Sequence, residues 1–331
     1  MSQKTIEITP IAGSLGAEIR GVDLRTMDNH AWARVHQAFL DYKVIAIRGQ
    51  QLSPEEQLAA GKQFGEPCFY PFARGMDEIP QMTRIVKEAQ EREAFGNDWH
   101  SDTPYLAEPP AFTTLYSIDT PPKGGDTLYA NTQIAYEELS SGMKKLLAST
   151  IGVFSASLKH RPGGARAEHH RKITVMPVTN SENADRFESK HPIVRTHPQT
   201  GEKALYCSAL HTLRFDDTSE RESRPLINML NDHMITPEFC CRLQWQPGQF
   251  TIWDNRVTMH HAVNDYHGAR REMRGLRQRG ALVGRGGLGA EAGEREVAEA
   301  SGDALEQVAA RERERLEVAA VEGTVRVHRF T

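Results

Sequence analysis

The sequence predicts a mainly β fold with flanking helices, a barrel or jelly roll rather than a doubly wound sheet. Three observations carry this. Strand signals dominate after residue 100 with few helices between them, so the regular strand–helix alternation of a parallel sheet is missing. No internal repeat of solenoid or propeller length is visible. The composition also changes abruptly: all 17 prolines lie at or before Pro247, and Phe330 is the only aromatic after residue 280. One domain over residues 1–280 and an atypical Ala/Glu/Arg-rich tail over 281–331, helical or disordered, are therefore expected.

Taken in order, residues 5–24 alternate loosely between apolar and polar, with Gly13, Gly16 and Gly21 as punctuation, and read as short strands. Asn29 is placed to cap a helix whose Trp32, Val35, Phe39 and Leu40 share a face. VIAIRGQ at 44–50 is a compact buried-strand signal. Ser53-Pro54-Glu55-Glu56 has the capping-box arrangement with proline at the first helical position. Residues 66–98 read as loop, 111–118 and 127–130 as strands, and 132–149 as one helix. The charged, aperiodic stretch 157–172 reads as a surface insertion with the character of a lid. Short strands near 192–196 and 203–209, a helix over about 218–233, and strands at 239–246 and 249–253 follow.

Composition bounds the function. Apolar residues make up 39% and charged residues 25%, which supports a sizeable core. A net charge of −4 argues against nucleic acid or an anionic membrane as partner. No apolar run of membrane-spanning length and no signal-peptide core are visible, and Cys68, Cys207, Cys240 and Cys241 lack metal-motif or disulfide-framework spacing. A cytoplasmic enzyme is expected, and homo-oligomerisation is compatible with it.

Two short segments could carry metal chemistry. In a strand, His100 and Asp102 would point to one face and could offer an imidazole nitrogen and a carboxylate oxygen to one ion. About one such pair arises by chance in a chain with 14 histidines, so a surface histidine beside a turn aspartate stands as the bland reading. His260, in Trp253-Asp254-Asn255-Arg256 and the His260-His261 pair that follows, would complete two histidines and one carboxylate. That set suits non-haem Fe(II) oxygenases because it leaves open positions on the ion; a zinc hydrolase and a pair of solvated loop histidines are the alternatives. Thr127, after the Gly124-Gly125 turn, could donate a hydrogen bond to an anion, and Arg271 offers a planar fork for a carboxylate.

Taken together, GAEIRGVDL (16–24), VIAIRGQ (44–50), FGEP (64–67), WHSD (99–102), PPKGGDTLYAN (121–131), KALY (203–206), PEF (237–239) and WDNRVTMHHAVNDY (253–266) resemble the taurine dioxygenase / 2,4-D dioxygenase family of Fe(II)- and 2-oxoglutarate-dependent dioxygenases. The resemblance runs from about residue 6 to 274. It implies a double-stranded β-helix (jelly roll) core, Fe(2+) held by His100, Asp102 and His260, and 2-oxoglutarate as cosubstrate with O2. It makes Thr127 and Arg271 the holders of the cosubstrate's distal carboxylate, and His261 a neighbour rather than a ligand. The implied activity is hydroxylation of a small anionic organic acid (sulfonate, sulfate ester or aryloxyalkanoate) with release of succinate and CO2. A carboxylate at Asp102 favours hydroxylation, since related halogenating enzymes carry a small residue there.

The pattern also breaks. Tyr70 stands where the taurine enzymes place a sulfonate-contacting histidine, and His211 where they place a substrate-packing phenylalanine. The sulfonate-binding arginine of the strand after Arg271 falls on Gly275. Read in another frame, codons for the residues 275–280 can spell Arg-Val-Thr-Ala-Glu-Gly, the expected family strand, so a frameshift after Met273 accounts for the break. Loss of the last core strand is then expected, with an unpaired sheet edge. It makes a family member that binds iron or a small acid without turnover the alternative function.

Overall fold

The computed structural model describes residues 5–160 and 179–280. Sixteen strands occur among them: β1 Glu7–Pro10, β2 Ala17–Arg20, β3 Val44–Ile47, β4 Glu66–Cys68, β5 Met82–Lys87, β6 Phe112–Asp119, β7 Thr127–Asn131, β8 Ile151–Ser155, β9 Glu188–Pro192, β10 Val194–Thr196, β11 Lys203–Leu205, β12 Thr212–Phe215, β13 Cys240–Leu243, β14 Phe250–Asp254, β15 Thr258–Ala262 and β16 Arg271–Arg279. The helices are α1 Asn29–Tyr42, α2 Pro54–Lys62, α3 Thr132–Glu137, α4 Ser141–Leu147, α5 Ser157–His160 and α6 Glu220–Met234.

Two sheets make the jelly roll. The larger runs β1-β2-β3-β14-β6-β16-β4, with β5 also paired to β16; the smaller runs β13-β7-β15. Side-chain alternation shows how they meet. Val44 and Ala46 of β3, Trp253 of β14 and Met273 of β16 pack with Tyr129 of β7 and Cys241 and Leu243 of β13 between the sheets. The intervening Ile45, Ile47, Phe250 and Ile252 face the other way and bury Val35 and Phe39 of α1 and Ala60 of α2. A strand covered on both faces needs an unbroken apolar run, which is why VIAI shows no polar alternation.

The helices begin where the caps dictate. Ser53 and Glu56 form both halves of the capping box at α2. At α1 the cap is Asp28, whose carboxylate accepts from the Ala31 amide, and Asn29 is already helical. The helix expected over 132–149 is two: Ser140 caps a second start, accepting from the Met143 amide. The loop expected over 66–98 contains β4 and β5, whose Pro67, Arg84 and Lys87 obscure the alternation. Beyond α5, the rest of the insertion lies outside the described residues, as does the tail 281–331.

The largest correction concerns the last strand, which is formed. β16 pairs antiparallel with β6 from Glu272 to Gln278 on one side, and with β5 and then β4 on the other. Pairing is a backbone property and needs only side chains that the two faces tolerate. On one face Met273 fills the inter-sheet core. On the other, Leu276 packs on Ile79 and Met82, and Arg274 sets its guanidinium 5.0 Å over the Tyr116 ring while donating to the Leu52 carbonyl at 2.6 Å. No unpaired edge opens beside β6.

Candidate metal and 2-oxoglutarate site

His260 sits in the middle of β15, where its backbone exchanges two hydrogen bonds with His100 (3.0 and 2.8 Å). This bridge brings the two segments together across 160 residues of sequence. His100 is not in a regular strand: the chain turns immediately after it, pinned by the Ser101 hydroxyl on the Thr258 carbonyl (2.7 Å), with Thr103 at φ 44°. The turn delivers Asp102 to the same point. One donor atom from each of His100, Asp102 and His260 lies within 4.8 Å of the others, and all three residues are buried. His261, one residue on, projects to the opposite side and packs on Trp99.

The protonation states suit a cation. His100 Nδ1 lies 2.6 Å from the Asp98 carbonyl and must donate to it, which leaves Nε2 as a lone pair, 3.9 Å from Asp102. Burial, reinforced by His260 alongside, holds the His100 pKa well below the usual value. Burial likewise lowers His260 to about 4, with Asp102 opposing in part. Both rings are therefore neutral at pH 7. Burial alone would raise Asp102, but the Arg277 guanidinium, helped by the Thr113 hydroxyl, outweighs it and keeps the carboxylate ionised. His260 Nδ1 is a buried ring nitrogen with no hydrogen-bond partner. Two neutral imidazoles, one carboxylate and an unpartnered nitrogen fit a divalent metal ion.

Asp102 is held from outside the cluster. Thr113 of β6 donates to its Oδ2 at 2.6 Å, Asn255 Nδ2 donates to Thr113 at 2.9 Å, and Trp253 Nε1 donates to Asn255 Oδ1 at 2.9 Å. The Trp-Asp-Asn run thus orients the carboxylate through Thr113. Asp254 of the same run faces away, in an ion pair with Arg256 and a hydrogen bond of 3.0 Å with His197 Nε2.

The cluster opens into a cavity whose walls include Ile85, Phe95, Leu115, Thr127, Arg271 and Arg277. Thr127 and Arg271 enter it from the starts of β7 and β16. Gly125, at φ 70°, makes the turn before Thr127; an added Cβ there would meet Pro121 at 2.9 Å. Trp245 organises the pair: its Nε1 donates to the Thr127 hydroxyl at 3.0 Å, leaving that proton free to donate onward, and its ring lies 5.6 Å from the Arg271 guanidinium. Arg271 is buried and its Nε has no partner. A buried guanidinium with a free Nε beside a hydroxyl donor is suited to a carboxylate.

Of the expected site residues, five meet at this cavity: His100, Asp102, Thr127, His260 and Arg271. Tyr70 and His211 stand behind its walls. Tyr70 lies under the Arg277 guanidinium, 4.1 Å from ring centre to charge, and His211 packs edge-on against His100. Thr113, Trp245 and Arg277 were not foreseen. Only Arg277 had a visible signal, the period of two that puts it on the Arg271 face.

Comparison with known proteins identifies the family. The family model described as "Taurine catabolism dioxygenase TauD, TfdA family" matches residues 7–277. An alpha-ketoglutarate-dependent sulfate ester dioxygenase of Pseudomonas putida is 34% identical over 268 residues, covering 79% of this chain and 85% of the relative. An alkylsulfatase of Acinetobacter baylyi is 32% identical over 280 residues, covering 84% and 86%. A crystal structure of a taurine dioxygenase from Burkholderia xenovorans superposes with a TM-score of 0.66 at 32% identity, covering 83% of this chain and 91% of that one. The chain belongs to the TauD/TfdA family of 2-oxoglutarate-dependent dioxygenases.

Proposed function

We propose that this protein is an Fe(II)- and 2-oxoglutarate-dependent dioxygenase that hydroxylates a small organic acid of the sulfate ester, sulfonate or aryloxyalkanoate class, releasing succinate and CO2. The observation that carries the proposal is one buried cavity holding both the His100/Asp102/His260 cluster and the Thr127/Arg271 pair. A zinc hydrolase would leave the second pair without a task.

His100, Asp102 and His260 would hold the iron, and Arg271 with Thr127 would take the distal carboxylate of 2-oxoglutarate. Bound iron with 2-oxoglutarate and O2 supplies the oxidant that inserts oxygen into a C–H bond. The protein's part is placement and shielding. Asn255 and Thr113 hold Asp102 in register, Trp245 aims the Thr127 hydroxyl, and Ile85, Phe95 and Leu115 line the cavity with apolar surface that limits water. The last strand, whose loss would favour binding without turnover, is paired in the fold, which supports the active reading.

The four cysteines are all free thiols, Cys240 and Cys241 adjacent, which accords with a reducing cytoplasm. Among the described residues no helix is long and apolar enough to cross a membrane.

The test is O2-dependent succinate release with added Fe(II) and 2-oxoglutarate across a panel of alkyl sulfates, alkanesulfonates and aryloxy acids. Wild type is expected to respond to at least one of them, and Asp102→Ala to none. Full coupled turnover by Asp102→Ala would overturn the ligand assignment.

A further inference from the structure

We infer that Arg277 is the residue that reads the acid group of the substrate, in a subsite opened by the missing side chain at Gly275. The inference deepens the proposed function and rests on it. Strand alternation puts Arg271, Met273, Gly275 and Arg277 on one face of β16, and all but Met273 border the cavity. If Arg271 serves the cosubstrate, a second buried guanidinium remains in the same space. Among the described residues its Nε has no hydrogen-bond partner, and its terminal nitrogen donates to one oxygen of Asp102 at 3.3 Å. A fork of five donors is poorly used by one carboxylate oxygen. Asp102 would also share its charge with the metal, which leaves Arg277 less than fully compensated.

Gly275 supplies the room. A Cβ there would stand 3.0 Å from Leu115 Cδ2 and 3.3 Å from Ile85 Cδ1, so any side chain would press on the apolar wall and take up space in the cavity that Arg277 also borders. Tyr70 supplies the backing. Its ring lies 4.1 Å from the guanidinium, and Phe95 packs edge-on against that ring. The consequence for substrate class is geometric. Because Arg277 touches a residue of the metal cluster, an acid group paired with it lies beside the reaction centre. The C–H bond presented is then on the carbon bearing the acid group or one atom removed from it, as in a sulfonate or a sulfate ester. Insertion of one O2-derived oxygen into that C–H bond places a hydroxyl on the carbon; as the hydroxyl loses its proton and becomes a carbonyl, the C–S bond of a sulfonate or the C–O bond of a sulfate ester breaks and its electron pair leaves with sulfite or sulfate.

The experiment measures binding to the full chain loaded with Mn(II) and 2-oxoglutarate, by calorimetry, so it does not depend on turnover. The probes are hexyl sulfate and hexanesulfonate, with hexan-1-ol as the uncharged control. Wild type is expected to bind at least one acid much more tightly than the alcohol. Arg277→Gln, titrated at saturating Mn(II) and 2-oxoglutarate so that any change in metal affinity is read separately, is expected to weaken that acid by about 10- to 100-fold, the loss typical of a charged hydrogen-bonded contact. Arg277→Lys should fall between. An Arg277→Gln variant that loses Mn(II) affinity but keeps the preference for the acid would make Arg277 only a counter-ion of Asp102 and overturn the inference, as would a wild type that binds neither acid above the alcohol. Tight, Arg277-dependent acid binding without O2-dependent succinate release would leave the inference standing and sink the proposed activity instead.

Discussion

Replacing Thr113 by valine removes one hydroxyl and keeps the shape, so it isolates how Asp102 is positioned. In the structure that hydroxyl donates to Asp102 Oδ2 at 2.6 Å and accepts from Asn255 Nδ2 at 2.9 Å. Its loss frees one carboxylate oxygen and strands the Asn255 amide in a buried site. A hydrogen bond to a charged group contributes about 1.5–3 kcal/mol, and each 1.4 kcal/mol corresponds to about tenfold in binding. Thr113→Val should therefore bind Mn(II) about 10- to 100-fold more weakly, the usual range for a group that orients a metal ligand. Thr113→Ser, which keeps the hydroxyl, should recover most of the affinity. The assay is calorimetric Mn(II) titration of each purified variant, with circular dichroism to confirm the fold. A folded Thr113→Val that binds Mn(II) as tightly as wild type would show that Asp102 is oriented by Arg277 and the backbone alone.

Three further outcomes follow from the same geometry. Arg271→Lys loses the fork aimed at the cosubstrate and should raise the KM for 2-oxoglutarate about tenfold or more with Mn(II) affinity unchanged; an unaltered KM would remove Arg271 from that role. Leu276→Ala empties a fully buried position against Ile79 and Met82 and should cost about 2–5 kcal/mol in denaturant unfolding, whereas a loss below about 0.5 kcal/mol would mean that β16 is not docked in solution. For the metal-free protein, His260 titrates near 4 rather than 6.5, so between these values the unfolded chain binds the extra proton. Stability should fall as pH drops from about 6.5 toward 4, with His100 adding in the same direction, and a melting temperature flat over that interval would refute the buried neutral histidines.

Much of the site is legible without coordinates, because some of its parts are local. A glycine pair before Thr127, a capping box at Ser53 and a histidine two residues from an aspartate each announce themselves within a few positions. Helix ends were less legible. Asp28 and Asn29 are both good caps, and only backbone geometry chooses between them. The strands β4 and β5 escaped notice because packing and pairing partners, not an alternating pattern, hold them.

The sequence by itself determined the chemistry available: two histidines and a carboxylate, a threonine and an arginine for an anion, and a composition shift after residue 280. The tertiary structure decided which residues serve it. His100 meets His260 through a backbone bridge, Trp245 reaches Thr127 across 118 positions, and Arg277 reaches Asp102 across 175. Short-range spacing records the period of a strand or a turn, and nothing more distant. The break after Met273, which in sequence marked a lost strand, became in the fold a paired strand whose alternation carries Arg277 into the cavity. Backbone hydrogen bonding tolerates almost any residue, so the strand survives there while its side chains change what it presents.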